Sequence, residues 1–343
     1  MWDKLIAQMT ANELFDLIRN CAFKSPADEF IGKPQTIDLD GPAGFTNSTV
    51  RKSDDVYDTC FYCSESILGA TWNQDLAYEM GEYIGNEGLV GDERASKNTY
   101  NGLYAPGVNL HRTPFGGRNP EYYSEDPVLS GAMAAKMVSG ANSKGVYCFL
   151  KHFAVNDQET HRNGVCTWLT EQNLRELYLK PFEKAVKDGG ATAVMSSFNR
   201  IGTRWTGGSY ALLTEVLRGE WGFNGAVITD FASGQAQMDL QQMVYAGGDM
   251  WLDTITPSKW YSKASALDVY QMQESVKHML YMTANSNAMN GLGEGAVVQT
   301  RAATWRLVMY GADAAIEVLL IVWGVAAIVA TKRRKNKAKT AKA

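Results

Sequence analysis

The chain has 343 residues, 45% of them hydrophobic and 11% aromatic, enough for one large barrel of about 250 residues with an appendage, and the composition rules out disorder as the default. Seven cations, Lys332, Arg333, Arg334, Lys335, Lys337, Lys339 and Lys342, crowd the last twelve residues, so the formal net charge of -4 becomes -11 once these seven are set aside. An acidic body with a basic end does not fit a nucleic-acid binder.

Met1 leads directly into Trp2, Asp3, Lys4, Leu5 and Ile6, without the pattern of a signal peptide. Thr10-Ala11-Asn12-Glu13 is a capping box that opens a helix bearing Leu14, Phe15, Leu17 and Ile18. Residues 35–40 form the first candidate strand, closing on Asp40-Gly41-Pro42, and residues 46–62 read as loop. Leu76, Met80, Tyr83 and Ile84 recur at helical spacing over residues 73–87, with Gly88 as the stop. Residues 102–110 are strand-like, 111–117 a loop, and Asp126-Pro127 starts a helix that reaches Ser143. Glu125 and Asp126 are read as helix-capping groups rather than catalysts.

Residues 146–150 form a buried strand ending in Lys151-His152, Thr170 opens an amphipathic helix through Lys187, and residues 193–197 are another short strand. A helix over 210–219 leads into Trp221 to Phe231, where Val227 and Ile228 mark a strand too short to be a helix, delivering Asp230 at its tip. Residues 235–246 are expected as helix, 248–253 as a further strand and 264–285 as a closing helix. Short strands alternating with longer helices predict an α/β fold, a TIM-like (β/α)8 barrel over residues 1–290 with room for irregular first strands.

Residues 291–311 read as a linker. Residues 312–331 are about the length that crosses a bilayer. Asp313 and Glu317 would sit near one interface and the basic cluster at the other, a stop-transfer pattern with the tail, 332–343, cytoplasmic and the barrel on the outer face of the cell membrane. Five scattered cysteines do not make a disulfide framework, and Cys60-Phe61-Tyr62-Cys63 lacks a second pair. No two of His111, His152, His161 and His278 share a helical face, so no metal site is expected.

Several pieces occur in order: Asp40-Gly41-Pro42, Gly117-Arg118-Asn119-Pro120-Glu121 through Asp126-Pro127, Lys151-His152-Phe153, Met195-Ser196-Ser197-Phe198-Asn199, and Glu220-Trp221-Gly222-Phe223 to Asp230. Together they resemble the barrel domain of glycoside hydrolase family 3, of the β-glucosidase type, over roughly residues 1–290. The resemblance implies no cofactor and a retaining mechanism, in which one carboxylate attacks the anomeric carbon and a second acid, about 5 to 5.5 Å away, protonates the leaving oxygen. It implies Asp230 as nucleophile and Asp40, Arg118, Lys151, His152, Arg162 and Met195 as the groups that hold the sugar. Glu159 is expected to orient Arg162, with Phe198 and Phe231 beside the nucleophile.

Two positions depart from the family pattern. Phe198 stands where many relatives carry a tyrosine whose hydroxyl supports the nucleophile, and Phe231 where many carry tryptophan. The acid/base is the larger gap, since two-domain relatives take it from a second α/β domain. Single-domain N-acetylglucosaminidase relatives use an Asp-x-His pair; Glu159-Thr160-His161 lies in the corresponding loop, but Ala154-Val155-Asn156-Asp157 replaces the expected Pro-Gly-His-Gly. The resulting expectation is an exo-acting β-glucosidase on a β-linked oligosaccharide or glucoside, held to the membrane by its C-terminal helix. A second domain or subunit would supply the acid, and the chain would be part of a longer polypeptide. The rival expectations are a membrane-tethered glycan-binding protein without turnover and an N-acetylhexosaminidase.

Overall fold

The computed structural model describes residues 2–46, 59–91, 99–290 and 304–340. The chain divides into two compact units after Asn290. In the first unit the strands are β1 (Asp38–Asp40), β2 (Gly102–Tyr104), β3 (Tyr147–Phe153), β4 (Cys166–Thr167), β5 (Ala193–Ser196), β6 (Arg200–Ile201), β7 (Arg204–Trp205) and β8 (Ala226–Ile228). Five of them form one sheet in the order β1-β2-β3-β5-β8, every neighbour parallel, and β4, β6 and β7 form a small separate sheet.

The large sheet is buried on both faces, as its near-continuous apolar strands predict. Tyr104, Tyr147, Phe149, Ala193, Met195, Ala226 and Ile228 face one core, which continues into the helices Ala11–Arg19 and Ala266–Ala284. Their alternates Leu103, Cys148, Leu150, Val194 and Val227 face the other, with the helices Gln74–Val90, Pro127–Asn142 and Lys180–Lys187. This is the period of two of a pleated strand. At about 25 cal/mol per Å² of apolar area removed from water, such two-sided burial is the main term holding the sheet.

The fold is α/β, and fewer strands than the expected eight pair in the parallel sheet among the described residues. Among the described residues five strands join the parallel sheet, and side chains explain several of the interruptions. The Ile37 N–H donates to the Asn101 side chain at 2.7 Å, so β1 pairs only from Asp38. Pro106, which has no N–H, interrupts the ladder after β2, leaving a single bridge from Gly107 to Lys151. Residues 248–253 make only the bridge Ile228 to Met250, and there the Val227 N–H donates to the Asp249 carboxylate at 2.7 Å in place of a strand carbonyl. Ile18 accepts from the Trp251 N–H at 2.9 Å and Phe23 from the Asp38 N–H at 3.0 Å, so the end of the helix Ala11–Arg19 and the segment after it touch both outer strand positions.

The capping box is present: Thr10 Oγ1 accepts from the Glu13 N–H at 3.3 Å and Glu13 Oε2 from the Thr10 N–H at 2.7 Å. Asp126 caps its helix through the Leu129 N–H at 2.6 Å, whereas Glu125 is exposed. Gly88 does not stop its helix, which runs to Val90 and ends where Gly91 takes φ +63°. The helix expected from Thr170 to Lys187 is opened by one residue at Leu174–Tyr178, with the Leu179 N–H reaching Leu174. Pro181 explains this, because its ring would clash with the carbonyl four residues earlier in a regular helix. Residues 235–239 are not helical; Asp239 caps Leu240–Ala246 instead.

Most of the 46–62 loop lies outside the described residues, as do 291–303 of the linker. In the second unit one helix, Thr304–Thr340, takes in the remainder of the linker and most of the basic tail. Its stretch Leu307–Arg333 contains an 18-residue window of mean hydropathy 2.3 and is long and apolar enough to cross a membrane.

Candidate active site

Parallel strands release their chains at one end of the sheet, so groups placed at their C-terminal ends converge. Asp40 ends β1, Lys151 and His152 lie in the last turns of β3, Met195 and Ser196 end β5, and Asp230 follows β8 by two residues.

Asp230 is 9% exposed. Its Oδ1 accepts from the Phe231 N–H at 2.7 Å, whereas Oδ2 is buried with no hydrogen-bond partner and faces His152 Nε2 at 3.5 Å. Burial pushes the carboxyl pKa up to about 6, with the Phe231 N–H and the charges of Arg118, Arg162 and Lys151 acting in the opposite direction.

Burial also holds His152 well below the usual imidazole range, and Arg118, Lys151 and Arg162 add to the effect. The ring is therefore neutral, and its 3.5 Å approach to Asp230 is not an ion pair. Arg118 Nη1 donates to His152 Nε2 at 3.2 Å; a guanidinium cannot accept, so Nε2 is the acceptor and Nδ1 carries the proton. With Nε2 occupied in this way, His152 has no proton to give Asp230, which agrees with the unpartnered Oδ2. Asn109 fixes the histidine backbone from both sides, accepting from the His152 N–H at 2.7 Å and donating to its carbonyl at 3.0 Å.

Arg118 forks onto Glu121 through Nε and Nη2, both at 2.6 Å. Burial opposes ionisation of Glu121, yet hydrogen bonds from Arg118 and the charge of Lys151 outweigh it and hold its pKa below the ordinary value. Lys151 Nζ lies 3.3 Å from Asp40 Oδ1, 3.0 Å from the Gly41 carbonyl and 3.7 Å from Glu121 Oε2. Asp40 keeps 45% of its side chain exposed, so the carboxylate meets both lysine and solvent.

Arg162 Nη1 donates to Glu159 Oε2 at 2.9 Å, and its guanidinium lies 4.5 Å from the Phe198 ring centroid. Met195 is 3% exposed and packs with Phe198 and Ile228. Phe231 touches the acid through its backbone N–H. His161 is exposed at φ +57°, and among the described residues its side chain has no hydrogen-bond or ion-pair partner. Thus Asp40, Lys151, Glu121, Arg118, His152 and Asp230 are linked by successive contacts, and Arg162, held between Glu159 and Phe198, acts on Asp230 through its charge.

Two contributors were not singled out from the sequence. Glu121 had a local signal, since Arg118-x-x-Glu121 puts both groups on the single turn Asn119–Glu121. Asn109 had none, because its partner is 43 residues away.

The glycosyl hydrolase family 3 N terminal domain model matches residues 55–277. Beta-glucosidase A of Butyrivibrio fibrisolvens is 37% identical over 236 residues, 67% of this chain and 27% of that protein. Beta-glucosidase B of Emericella nidulans is 35% identical over 294 residues, 83% of this chain and 33% of that protein. The structure of beta-glucosidase 3B from Thermotoga neapolitana in complex with glucose aligns with a TM-score of 0.70 at 31% identity, covering 83% of this chain and 42% of that one. The chain thus spans a third or less of the length of these two curated relatives.

Proposed function

This chain belongs to glycosyl hydrolase family 3, and we propose that it is the sugar-binding and nucleophile-bearing part of a retaining, exo-acting β-glucosidase. The observation that carries the reading is Asp230 Oδ2, an unpartnered carboxylate oxygen at the C-terminal end of a parallel strand, under the charges of Arg118, Arg162 and Lys151. In this reading Oδ2 attacks the anomeric carbon, and Lys151, His152, Arg118, Arg162 and Asp40 hold the ring hydroxyls, with Met195 against the sugar. Glu159 orients Arg162, and Phe198 and Phe231 wall the nucleophile.

The three cations offset the negative charge of the attacking carboxylate without being consumed. The proton for the leaving oxygen comes, in this proposal, from a glutamate of another domain or subunit. An activated leaving group bypasses that need. Incubation with a 2-fluoro-glucosyl dinitrophenyl ether is therefore expected to give a covalent adduct on Asp230 by peptide mass spectrometry. Labelling elsewhere, or none, overturns the assignment.

A nucleophile must be ionised, so a pKa near 6 predicts that kcat/KM falls as pH drops below about 6. In Phe198→Tyr a hydroxyl that donates to Asp230 is expected to move this acid limb down by about one pH unit. An unmoved limb would show that position 198 does not reach the carboxylate.

A rival reading is a glycan-binding protein that keeps the sugar pocket but does not turn over. Calorimetry with glucose, set beside turnover of an activated glucoside, separates the two. We further propose that the Thr304–Thr340 helix anchors the chain with its basic end cytoplasmic and the barrel outside. Membranes are expected to retain the full chain through alkaline carbonate washing, and deletion of residues 304–343 to release it. Retention of the deleted form would locate the anchor elsewhere.

A further inference from the structure

A cavity of about 280 Å³ lies against the loop that leaves β3, and none of Asp40, Arg118, Lys151, His152, Arg162 or Asp230 lines it. Its polar groups come from Arg112, Asp157 and Gln158, and its apolar wall includes Val155, Trp168 and Tyr178. Mixed walls of this kind, with a few convergent polar groups, are those of small-molecule sites.

Asp157 is the unusual member. It is 5% exposed; its Oδ1 accepts from the Leu110 N–H at 2.7 Å, and Oδ2 is buried with no partner. Burial pushes its pKa up to about 7, against the Leu110 N–H and the Arg112 charge, so near neutrality the carboxyl can either donate or accept. Next to Asp157 in the chain, Gln158 Oε1 accepts from Arg112 Nη2 at 3.1 Å. Trp168 is 74% exposed, and the edge of its ring rests near Gly202, at the turn between β6 and β7.

One acid and one guanidinium leave the walls without a large net charge, which disfavours a strongly charged ligand. The convergent hydrogen-bonding groups disfavour a purely apolar one. A ligand that combines hydroxyls with a flat C–H face satisfies both, because an exposed indole covers such a face at little entropic cost. We propose that this cavity binds a neutral saccharide unit, with Trp168 over its C–H face and Arg112 and Gln158 taking its hydroxyls. The site is separate from the one beside Asp230, and its occupancy does not depend on hydrolysis.

The test uses the full chain in detergent carrying Arg118→Ala, which weakens binding beside Asp230, titrated by calorimetry with methyl β-D-glucoside and with cellotetraose. One equivalent of sugar is expected to bind still. Adding Trp168→Ala or Arg112→Ala, both at exposed positions, is expected to weaken it roughly tenfold with no loss of thermal stability. Equal affinity for the two sugars would mean the cavity takes a free monosaccharide, and tighter cellotetraose binding a glycan chain; either supports the proposal. Absence of binding up to the solubility of the sugars, or binding that neither added substitution weakens, overturns it.

Discussion

Replacing Asp230 with glycine or asparagine is expected to lower turnover of an activated glucoside by about a thousandfold or more, the scale of losing a covalent nucleophile. Neither side chain can form the glycosyl ester. In Asp230→Gly the vacated space admits a small anion, so azide is expected to restore turnover and to yield the product of inverted configuration. Rescue with retained configuration, or activity near the original level without azide, would exclude the proposed role. Stability is expected to move the other way. A carboxyl whose pKa is raised to about 6 costs free energy when ionised at neutral pH, so Asp230→Asn should unfold no more easily than the original chain. That cost is fully present above the raised pKa, shrinks as pH falls through it, and is gone only below the ordinary carboxylate value of 3.8. A thermal melt at pH 7 checks this, and a clear drop in Tm would mean that the carboxylate is a structural group.

Glu121→Ala carries the second large effect. Arg118 and Glu121 keep only 18% of each side chain exposed, and the fork between them is the strongest contact either makes. Removing the carboxylate leaves a desolvated guanidinium without its partner, which typically destabilises by about 3 to 5 kcal/mol. Because Arg118 also donates to His152 Nε2, its release disturbs the groups around Asp230, and kcat/KM is expected to fall by about a hundredfold. The Glu121 pKa is lowered, so its contribution is present above the ordinary carboxylate value of 4.5 and is lost as pH falls through the lowered one. Denaturant melts of both single variants and the double variant with Arg118→Ala provide the check. Simple additivity across the three would show that the pair does not act as a unit.

The fold and the site were readable from the chain to different depths. Strands over residues 146–150, 193–197 and 226–228 announce themselves because both sheet faces are buried, which makes them continuous apolar runs. Their ends are equally visible, since an ionisable group at the close of such a run marks where the apolar core stops: Lys151, His152 and Asp230 were singled out in this way. Ladder breaks were not, because Asn101 and Asp249 cap strand amides from distant segments. Pro181 was visible in the sequence, yet it widened the helix rather than ending it. Glu121 was read past because a charged residue in a turn is ordinarily solvated, and only burial beside Arg118 and Lys151 makes it part of the network.

By itself the sequence determined which groups leave the core at strand ends, and in what order, because apolar patterning is local and survives without coordinates. Only the tertiary structure decided their charge states: a neutral His152 with its proton on Nδ1, an Asp230 with a pKa near 6, and a Glu121 held ionised. Desolvation and ion pairing depend on separations of a few ångströms between residues tens of positions apart in the chain, and no local pattern carries that distance.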